Sequence, residues 1–132
     1  FQNVREKRSL CYSIDSTYYG AKGILLANAG IDFDKETVTR QEILNQLTAC
    51  QEGEITEGEL TAAKEAIASG LRAVLDSPGA VESFHSTAAL SGMIFTREEY
   101  LQAVERVSVA DVARCAKTLK LHSTYFLKGE SL

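Results

Sequence analysis

The histidines and cysteines are the side chains of this sequence that could bind a metal ion or attack a substrate. Neither His85 nor His122 has a second histidine or an acidic residue at metal-site spacing, because the motifs HExxH and HxxEH are absent. The cysteines, Cys11, Cys50 and Cys115, lack CxxC spacing, which predicts reduced, buried thiols rather than a zinc cluster. No GxSxG motif marks a serine nucleophile. The sequence therefore predicts a chain with no complete active site and no cofactor of its own.

A basic segment followed by a tyrosine is the second candidate for chemistry. Arg5, Lys7 and Arg8 lie within the first eight residues, and Tyr12 follows seven positions after Arg5. On residue types alone, Arg5 could close a surface ion pair with Glu6, and Tyr12 could be a half-buried strand residue. Lys7 and Arg8 are predicted to be solvated or to interact with the C-terminal dipole of their helix.

Composition excludes several classes of function. The chain has 132 residues, of which 45% are hydrophobic and 24% charged, which is typical of a globular domain. Its formal charge of −4 argues against nucleic acid as a partner, because binding phosphates needs a clustered basic surface. No stretch approaches the roughly 20 apolar residues that cross a membrane, and no secretory leader is visible.

The elements that must position the basic segment are a helix and a strand. Residues 2–8 have helix-forming composition, and residues 10–19 alternate in polarity as a strand does. The sequence GAKG at 20–23 is a turn signal, and residues 24–31 form a second strand, apolar enough to be covered on both faces in places. The pattern predicts an antiparallel hairpin directly after a helix, with Tyr12 on its first strand.

Helical periodicity follows this hairpin. Asp34 is the predicted N-cap of a long helix, and Gly53 is its predicted stop. Capping-box sequences begin at Thr56 and Thr96, where Thr and Glu side chains can each satisfy a free backbone amide. The remaining predicted elements are helices from Ser77-Pro78 and from Ser108 and a last strand over residues 122–128.

This order of elements predicts an α+β fold in which helices pack on one face of an antiparallel sheet. Residues 1–132 are predicted to form a single domain. Three strands make a thin sheet, so we expect the first part of the domain, with further strand and helix, before Phe1. An apolar strip is then expected where those elements pack, and two copies of the chain could associate through it as a homodimer.

The opening sequence FQNVREKRSLCYSI resembles the Arg–Tyr segment of the pitrilysin/insulinase-type zinc metallopeptidases, the inverzincin family that includes mitochondrial processing peptidase. The matching residues are Arg5-Glu6-Lys7 followed by Leu10 and Tyr12. The GID sequence at 30–32, the EITEGELTAAKEAI helix and the SPGAVESFHS helix agree with the same family. The resemblance covers essentially all 132 residues and is strongest to bacterial members.

The resemblance implies one half of a two-half clamshell that closes around a peptide substrate. The zinc ligands of the family lie in the first half, so zinc is expected in an upstream half and not in this chain. Arg5 is implied to hydrogen-bond a substrate carbonyl, and Tyr12 to do the same and to stabilise the oxyanion of the tetrahedral intermediate. The implied partners are a peptide and the N-terminal zinc-binding half or a homologous subunit, and the implied location is the cytoplasm.

Two hypotheses about function follow from the resemblance. In the first, the chain is the C-terminal domain of a zinc metalloendopeptidase and contributes Arg5 and Tyr12 to peptide hydrolysis. In the second, it is a structural or peptide-holding domain of a catalytically inactive homologue that pairs with an active subunit. Under both hypotheses the chain alone neither binds zinc nor cleaves peptides.

Overall fold

A computed structural model describes residues 2–92 and 95–129 of the chain. The described strands are β1 (Ser13–Tyr19) and β2 (Ile24–Gly30), and the α-helices are α1 (Glu36–Glu52), α2 (Glu57–Ala73), α3 (Pro78–Leu90), α4 (Arg97–Arg106) and α5 (Val109–Ala116). A π-helix (Gln2–Glu6) and 3₁₀-helices at Gly20–Lys22, Phe33–Lys35 and Val74–Asp76 complete the elements. The predicted α+β class is confirmed. The predicted first helix is shorter than expected, and Phe1 lies outside the described residues.

The two strands form the predicted antiparallel hairpin. Tyr19 lies opposite Ile24 at the turn, and Ser13 lies opposite Gly30 at the open end. Gly23 completes the turn with a φ of 62°, a left-handed conformation that glycine adopts without a steric cost. The first strand begins at Ser13 rather than at residue 10, because residues 10–12 form the link from the π-helix.

The hairpin is far more exposed than its apolar sequence predicts. Ile24 is 51% exposed, Leu25 43% and Leu26 44%, so the expected covering of both faces is wrong for the described residues. The main contacts of the α-helices are with one another and with the short helices rather than with the strands. The hairpin therefore exposes apolar side chains on both faces, with Ile24 and Leu26 on one face and Leu25 on the other.

Local capping signals place most of the α-helix starts. Thr56 and Thr96 begin α2 and α4 with the predicted capping boxes, and Ser108 begins α5 with a third. Gly53 ends α1 in the left-handed region, as predicted. The predicted N-cap Asp34 is wrong: it lies inside the 3₁₀-helix that precedes α1, and α1 starts without a side-chain cap.

The described core is small and lies where helices meet. Helix α1 packs on α5, and α2 packs on α4. The buried apolar residues are Val4, Cys11, Ala68, Leu71, Ala113 and Ala116. Ile67 of α2 is 44% exposed, whereas Ala68 and Leu71 of the same helix are buried.

The predicted final strand is wrong for the described chain. Residues 120–129 have no regular secondary structure, and Tyr125 is 85% exposed. A strand needs a neighbour for its backbone hydrogen bonds, and within the described residues the sheet consists of β1 and β2 alone. This segment instead places the Lys128 ammonium 5.5 Å from the centre of the Phe33 ring. No helix in the described ranges has the length and apolar character that crossing a membrane requires.

Candidate functional site

The π-helix and β1 meet at a tight corner that places the basic segment. The backbone N–H of Ser9 donates to the carbonyl of Arg5 at 2.8 Å, and that of Leu10 donates to the carbonyl of Val4 at 3.2 Å. Ser9 has a φ of 50°, a left-handed conformation that is uncommon for a residue with a side chain. The left-handed residue turns the chain from the helix into the link that leads to β1.

Arg5 and Tyr12, the predicted site residues, line one shallow cavity at this corner. The cavity has a volume of about 350 Å³ and is lined by Arg5, Ser9, Leu10, Cys11, Tyr12, Asp32 and Lys35. Arg5 is exposed, and Tyr12 is 69% exposed and precedes β1. The alternative interpretation of Tyr12 as a half-buried strand residue is therefore wrong. The substrate-binding roles of the two residues stay a prediction.

Tyr12 belongs to a ring of polar contacts at the floor of the cavity. Its hydroxyl donates to Asp32 Oδ1 at 2.7 Å, and the Lys35 ammonium lies 3.5 Å from Asp32 Oδ2. Lys35 also donates to the carbonyl of Ser9 at 3.3 Å. The backbone N–H of Tyr12 donates to the carbonyl of Gly30 at 2.7 Å, which extends the pairing of the hairpin by one residue. These contacts tie the corner to the residues that follow β2.

The contacts among Tyr12, Asp32 and Lys35 determine the protonation states of Tyr12 and Asp32. The hydrogen bond and the negative charge of Asp32 raise the pKa of the Tyr12 phenol. The same hydrogen bond, with a smaller contribution from Lys35, lowers the pKa of Asp32. At neutral pH Asp32 is therefore a carboxylate and Tyr12 a neutral phenol, so the phenol is the donor in their hydrogen bond.

One face of α1 contacts the π-helix and the link that leads to β1. Thr39, Glu42 and Gln46 are spaced three and four residues apart, so they lie on the same side of the helix. Thr39 donates to the carbonyl of Leu10 at 3.3 Å, and Gln46 accepts from Asn3 at 2.6 Å. Thr39 and Glu42 are each 2% exposed, so this contact is buried as well as polar.

Glu42 anchors the middle of this face. It accepts hydrogen bonds from Asn45 at 3.2 Å and from Gln46 at 2.8 Å. Arg8 forms an ion pair with its carboxylate at 3.2 Å. Arg8 is mostly exposed, as predicted for a solvated side chain, but its head group also pairs with a buried acid that the sequence did not indicate.

Sequence reasoning found two lining residues of the cavity but missed the residues that position them. Asp32 lies in the GID sequence, but its contact with Tyr12 spans 20 residues. The signal for the polar face of α1 is the helical spacing of Thr39, Glu42 and Gln46 in the sequence. The apolar stripe of such a helix is the feature that usually predicts its packing.

The histidines lie away from this corner. His85 is exposed, and the centre of its ring lies 5.3 Å from that of Phe84. It lines a second cavity of about 260 Å³ between α3 and the start of α4. His122 is also exposed, with Nδ1 3.3 Å from the Ser123 hydroxyl. Across residues 2–92 and 95–129, no group of three or more His, Cys, Asp or Glu side chains could hold a metal ion, so the donor set does not fit a zinc ion.

Comparison with known proteins gives three similarities. The family described as "Peptidase M16 inactive domain" matches residues 1–67. A Bacillus subtilis (strain 168) protein named "Probable inactive metalloprotease YmfF" is 29% identical over 129 residues, which are 98% of this chain and 30% of that protein. The crystal structure of a conserved protein from Enterococcus faecalis V583 superposes with a TM-score of 0.79 at 26% identity, over 89% of this chain and 28% of that one. The chain thus spans less than a third of the length of these relatives.

Proposed function

Because the chain belongs to the family of peptidase M16 inactive domains, we propose that it is the single, zinc-free C-terminal domain of a two-half, metallopeptidase-like protein. Its proposed task is to hold an extended peptide at the cavity lined by Arg5 and Tyr12. The observation that carries this proposal is the meeting of these two exposed side chains at one cavity. The similarity to a Bacillus protein named as a probable inactive metalloprotease favours a role without cleavage.

The chemistry of the cavity suits a peptide backbone. An extended peptide presents carbonyl and N–H groups in alternation, and a guanidinium offers several donors in a fixed fork. Arg5 is proposed to donate to a peptide carbonyl, while Tyr12 contacts the backbone beside it. Specificity for side chains then depends on whatever closes the cavity from the other side.

The proposed partner that closes the cavity is a homologous half or subunit of the same family. The exposed face of β2 that carries Ile24 and Leu26 offers it an apolar docking surface. A homodimer of the chain is the second arrangement that this surface allows. The cytoplasm is the proposed location, as the resemblance to bacterial members implies.

A second candidate function is the direct contribution of Tyr12 to catalysis in an active parent protein. The exposed phenol beside Arg5 favours it, because both groups could face a developing oxyanion. In that case the full-length protein carries an HxxEH motif, and Tyr12→Phe lowers peptide turnover on the order of 10²-fold. An intact turnover in this variant, or the absence of the motif, would exclude the catalytic role.

The holding function is tested by peptide binding to the full-length protein. Fluorescence anisotropy of an end-blocked, fluorescein-labelled decapeptide measures the Kd of wild type and of Arg5→Ala. Loss of a charged hydrogen bond predicts about 10-fold weaker binding or more. The matched control is Arg40→Ala, which removes an arginine of α1 that pairs with Glu36 away from the cavity. Equal affinities for wild type and Arg5→Ala would refute the proposed site.

A further inference from the structure

The hydroxyl of Tyr12 has one proton, which it already donates to Asp32 in a hydrogen bond. A phenol donates one hydrogen bond and accepts through its lone pairs, whereas a carboxylate only accepts. Tyr12 donates to Asp32 at 2.7 Å, within the range of a strong charge-assisted hydrogen bond. In this arrangement Tyr12 can accept a hydrogen bond from a ligand but has no proton left to give to one.

Asp32 is itself held in place, so the arrangement is not a chance rotamer. The Lys35 ammonium contacts its second oxygen at 3.5 Å and reaches the carbonyl of Ser9 at 3.3 Å. The backbone hydrogen bond from Tyr12 to Gly30, at 2.7 Å, fixes the two chain segments side by side. Asp32 caps its 3₁₀-helix by position only, without a side-chain hydrogen bond to it. Its carboxylate is thus committed to Tyr12 and Lys35 rather than to the backbone of its own helix.

We propose that Asp32 is a positioning residue that fixes Tyr12 as a hydrogen-bond acceptor for a backbone N–H of the bound peptide. This inference rests on the proposed function and assigns opposite hydrogen-bonding roles to two residues of its cavity. Arg5 donates to a peptide carbonyl, and Tyr12 accepts from a peptide N–H. Stabilisation of an oxyanion by Tyr12 then requires the phenol to break its hydrogen bond with Asp32 first. The cavity is therefore suited to binding an intact peptide rather than the tetrahedral intermediate of peptide hydrolysis.

The contact between Asp32 and Tyr12 can be tested without any ligand. Incorporation of 3-fluorotyrosine at position 12 of the full-length protein brings the ionisation of the phenol into a range that ¹⁹F NMR can follow in the folded state. Asp32→Ala should lower the midpoint of this titration, because the acceptor and its charge are gone. Asp34→Ala is the matched control, since Asp34 acts on Tyr12 through charge alone and more weakly. A midpoint that is equal in wild type and Asp32→Ala would overturn the proposal.

The proposed hydrogen bond from a peptide N–H to Tyr12 is tested with backbone ester substitutions in the labelled decapeptide. An ester in place of an amide removes one N–H and keeps the carbonyl. At one position of the peptide, the ester should weaken binding to wild type about 10-fold, as the loss of a hydrogen bond predicts. This penalty should vanish in Tyr12→Phe, and it should become smaller in Asp32→Ala, where the phenol is no longer held as an acceptor. It should persist in Asp32→Asn, whose amide oxygen can still accept the phenol proton.

The two failures are distinguishable. If wild type does not bind the peptide at all, both the proposed function and the peptide part of this inference are wrong. If the peptide binds with its dependence on Arg5 but the ester penalty is unchanged in Asp32→Ala, the inference alone is wrong. A merely structural role of Asp32 would weaken the amide and ester peptides equally, which also contradicts the proposal.

Discussion

Arg8 and Glu42 form an ion pair at 3.2 Å in which one partner is buried and the other is not. The Glu42 side chain is 3% exposed, whereas that of Arg8 is 58% exposed. The pair joins the segment after the π-helix to α1, directly behind the corner that carries Arg5 and Tyr12. Because the two partners differ in burial, removing one is not equivalent to removing the other.

The Arg8–Glu42 pair predicts an order of stabilities. Arg8→Ala leaves a buried carboxylate with two amide donors and no charge partner, which should cost about 2 kcal/mol of unfolding free energy. Glu42→Gln returns an exposed Arg8 to water and should cost about 1 kcal/mol. Urea unfolding of both variants, followed by circular dichroism, measures the difference. A larger loss for Glu42→Gln than for Arg8→Ala would show that the buried charge is not the costly partner.

The double variant with Arg8→Ala and Glu42→Gln supplies the control for this order of stabilities. With Gln at position 42 no buried charge remains, so adding Arg8→Ala should cost little more. The two effects should therefore be less than additive, because the residues share one interaction. The pair of Arg40 and Glu36, in which neither partner is buried, should show no comparable coupling.

The left-handed conformation of Ser9 predicts a stabilising substitution. A residue with a side chain has a steric cost of about 1 kcal/mol at a φ of 50°, and glycine avoids it. Part of this gain is offset because glycine makes the unfolded chain more flexible. Ser9→Gly should raise the unfolding free energy by about 0.5 kcal/mol.

The matched control for Ser9→Gly is Ser13→Gly, which places glycine in β1 at an ordinary strand position. It should lower the unfolding free energy by about 0.5–1 kcal/mol. Thermal unfolding of the two variants beside wild type separates the cases. Destabilisation by both substitutions would mean that the corner is not strained at Ser9.

Local signals in the sequence predicted much of this fold because they act within one or two turns of chain. The capping box at Thr56 satisfies free amides that lie three residues apart, and Gly53 ends α1 through its own backbone. The hairpin depends in the same way on a short turn between alternating segments. Such features need no knowledge of the rest of the chain.

Apart from the N-cap predicted at Asp34, the main incorrect predictions concern features that depend on distant residues. The strand over residues 122–128 has suitable composition, but pairing needs a neighbouring strand that the described residues do not supply. Asp32 reaches Tyr12 across 20 residues, and no local pattern in the sequence marks such a contact. The Arg–Tyr spacing singled out two residues that line one cavity, whereas their contacts with Asp32 and with the segment held by Glu42 required the folded chain.

The capping box of α5 predicts a dependence of stability on pH. Hydrogen bonds from the hydroxyl and backbone of Ser108, with help from Arg114, lower the pKa of Asp111 from 3.8 to about 2. A carboxyl whose pKa is lowered by folding stabilises the protein above its unfolded pKa, and this contribution is lost as pH falls. The loss from Asp111 should therefore begin below about pH 4 and continue towards pH 2.

Asp111→Asn isolates this contribution. Urea unfolding at pH 6 and pH 3 should show a larger decrease for wild type than for the variant, since the amide does not titrate. The capping carboxylates Glu59 and Glu99 have lowered pKa values for the same reason and titrate in both proteins. Equal decreases in the two proteins would contradict the role assigned to Asp111.

The three cysteines predict an order of chemical reactivity that reports on the corner. Cys115 is exposed, Cys50 is half-buried, and Cys11 is 8% exposed in the link between the π-helix and β1. Burial, with a smaller contribution from the charge of Glu59, raises the pKa of the Cys50 thiol and so lowers its reactive thiolate fraction. Iodoacetamide should therefore modify Cys115 first, Cys50 more slowly and Cys11 last.

Modification of Cys11 requires the corner to open, so its rate measures how firmly α1 holds it. Arg8→Ala removes one of the contacts between the corner and α1 and should speed the modification of Cys11 several-fold. Cys115 lies on the exposed side of α5 and should react at the same rate in both proteins. Pulsed alkylation followed by peptide mass spectrometry gives the three rates in one experiment. Equal rates for Cys11 in wild type and Arg8→Ala would show that the contact with Glu42 does not hold the corner closed.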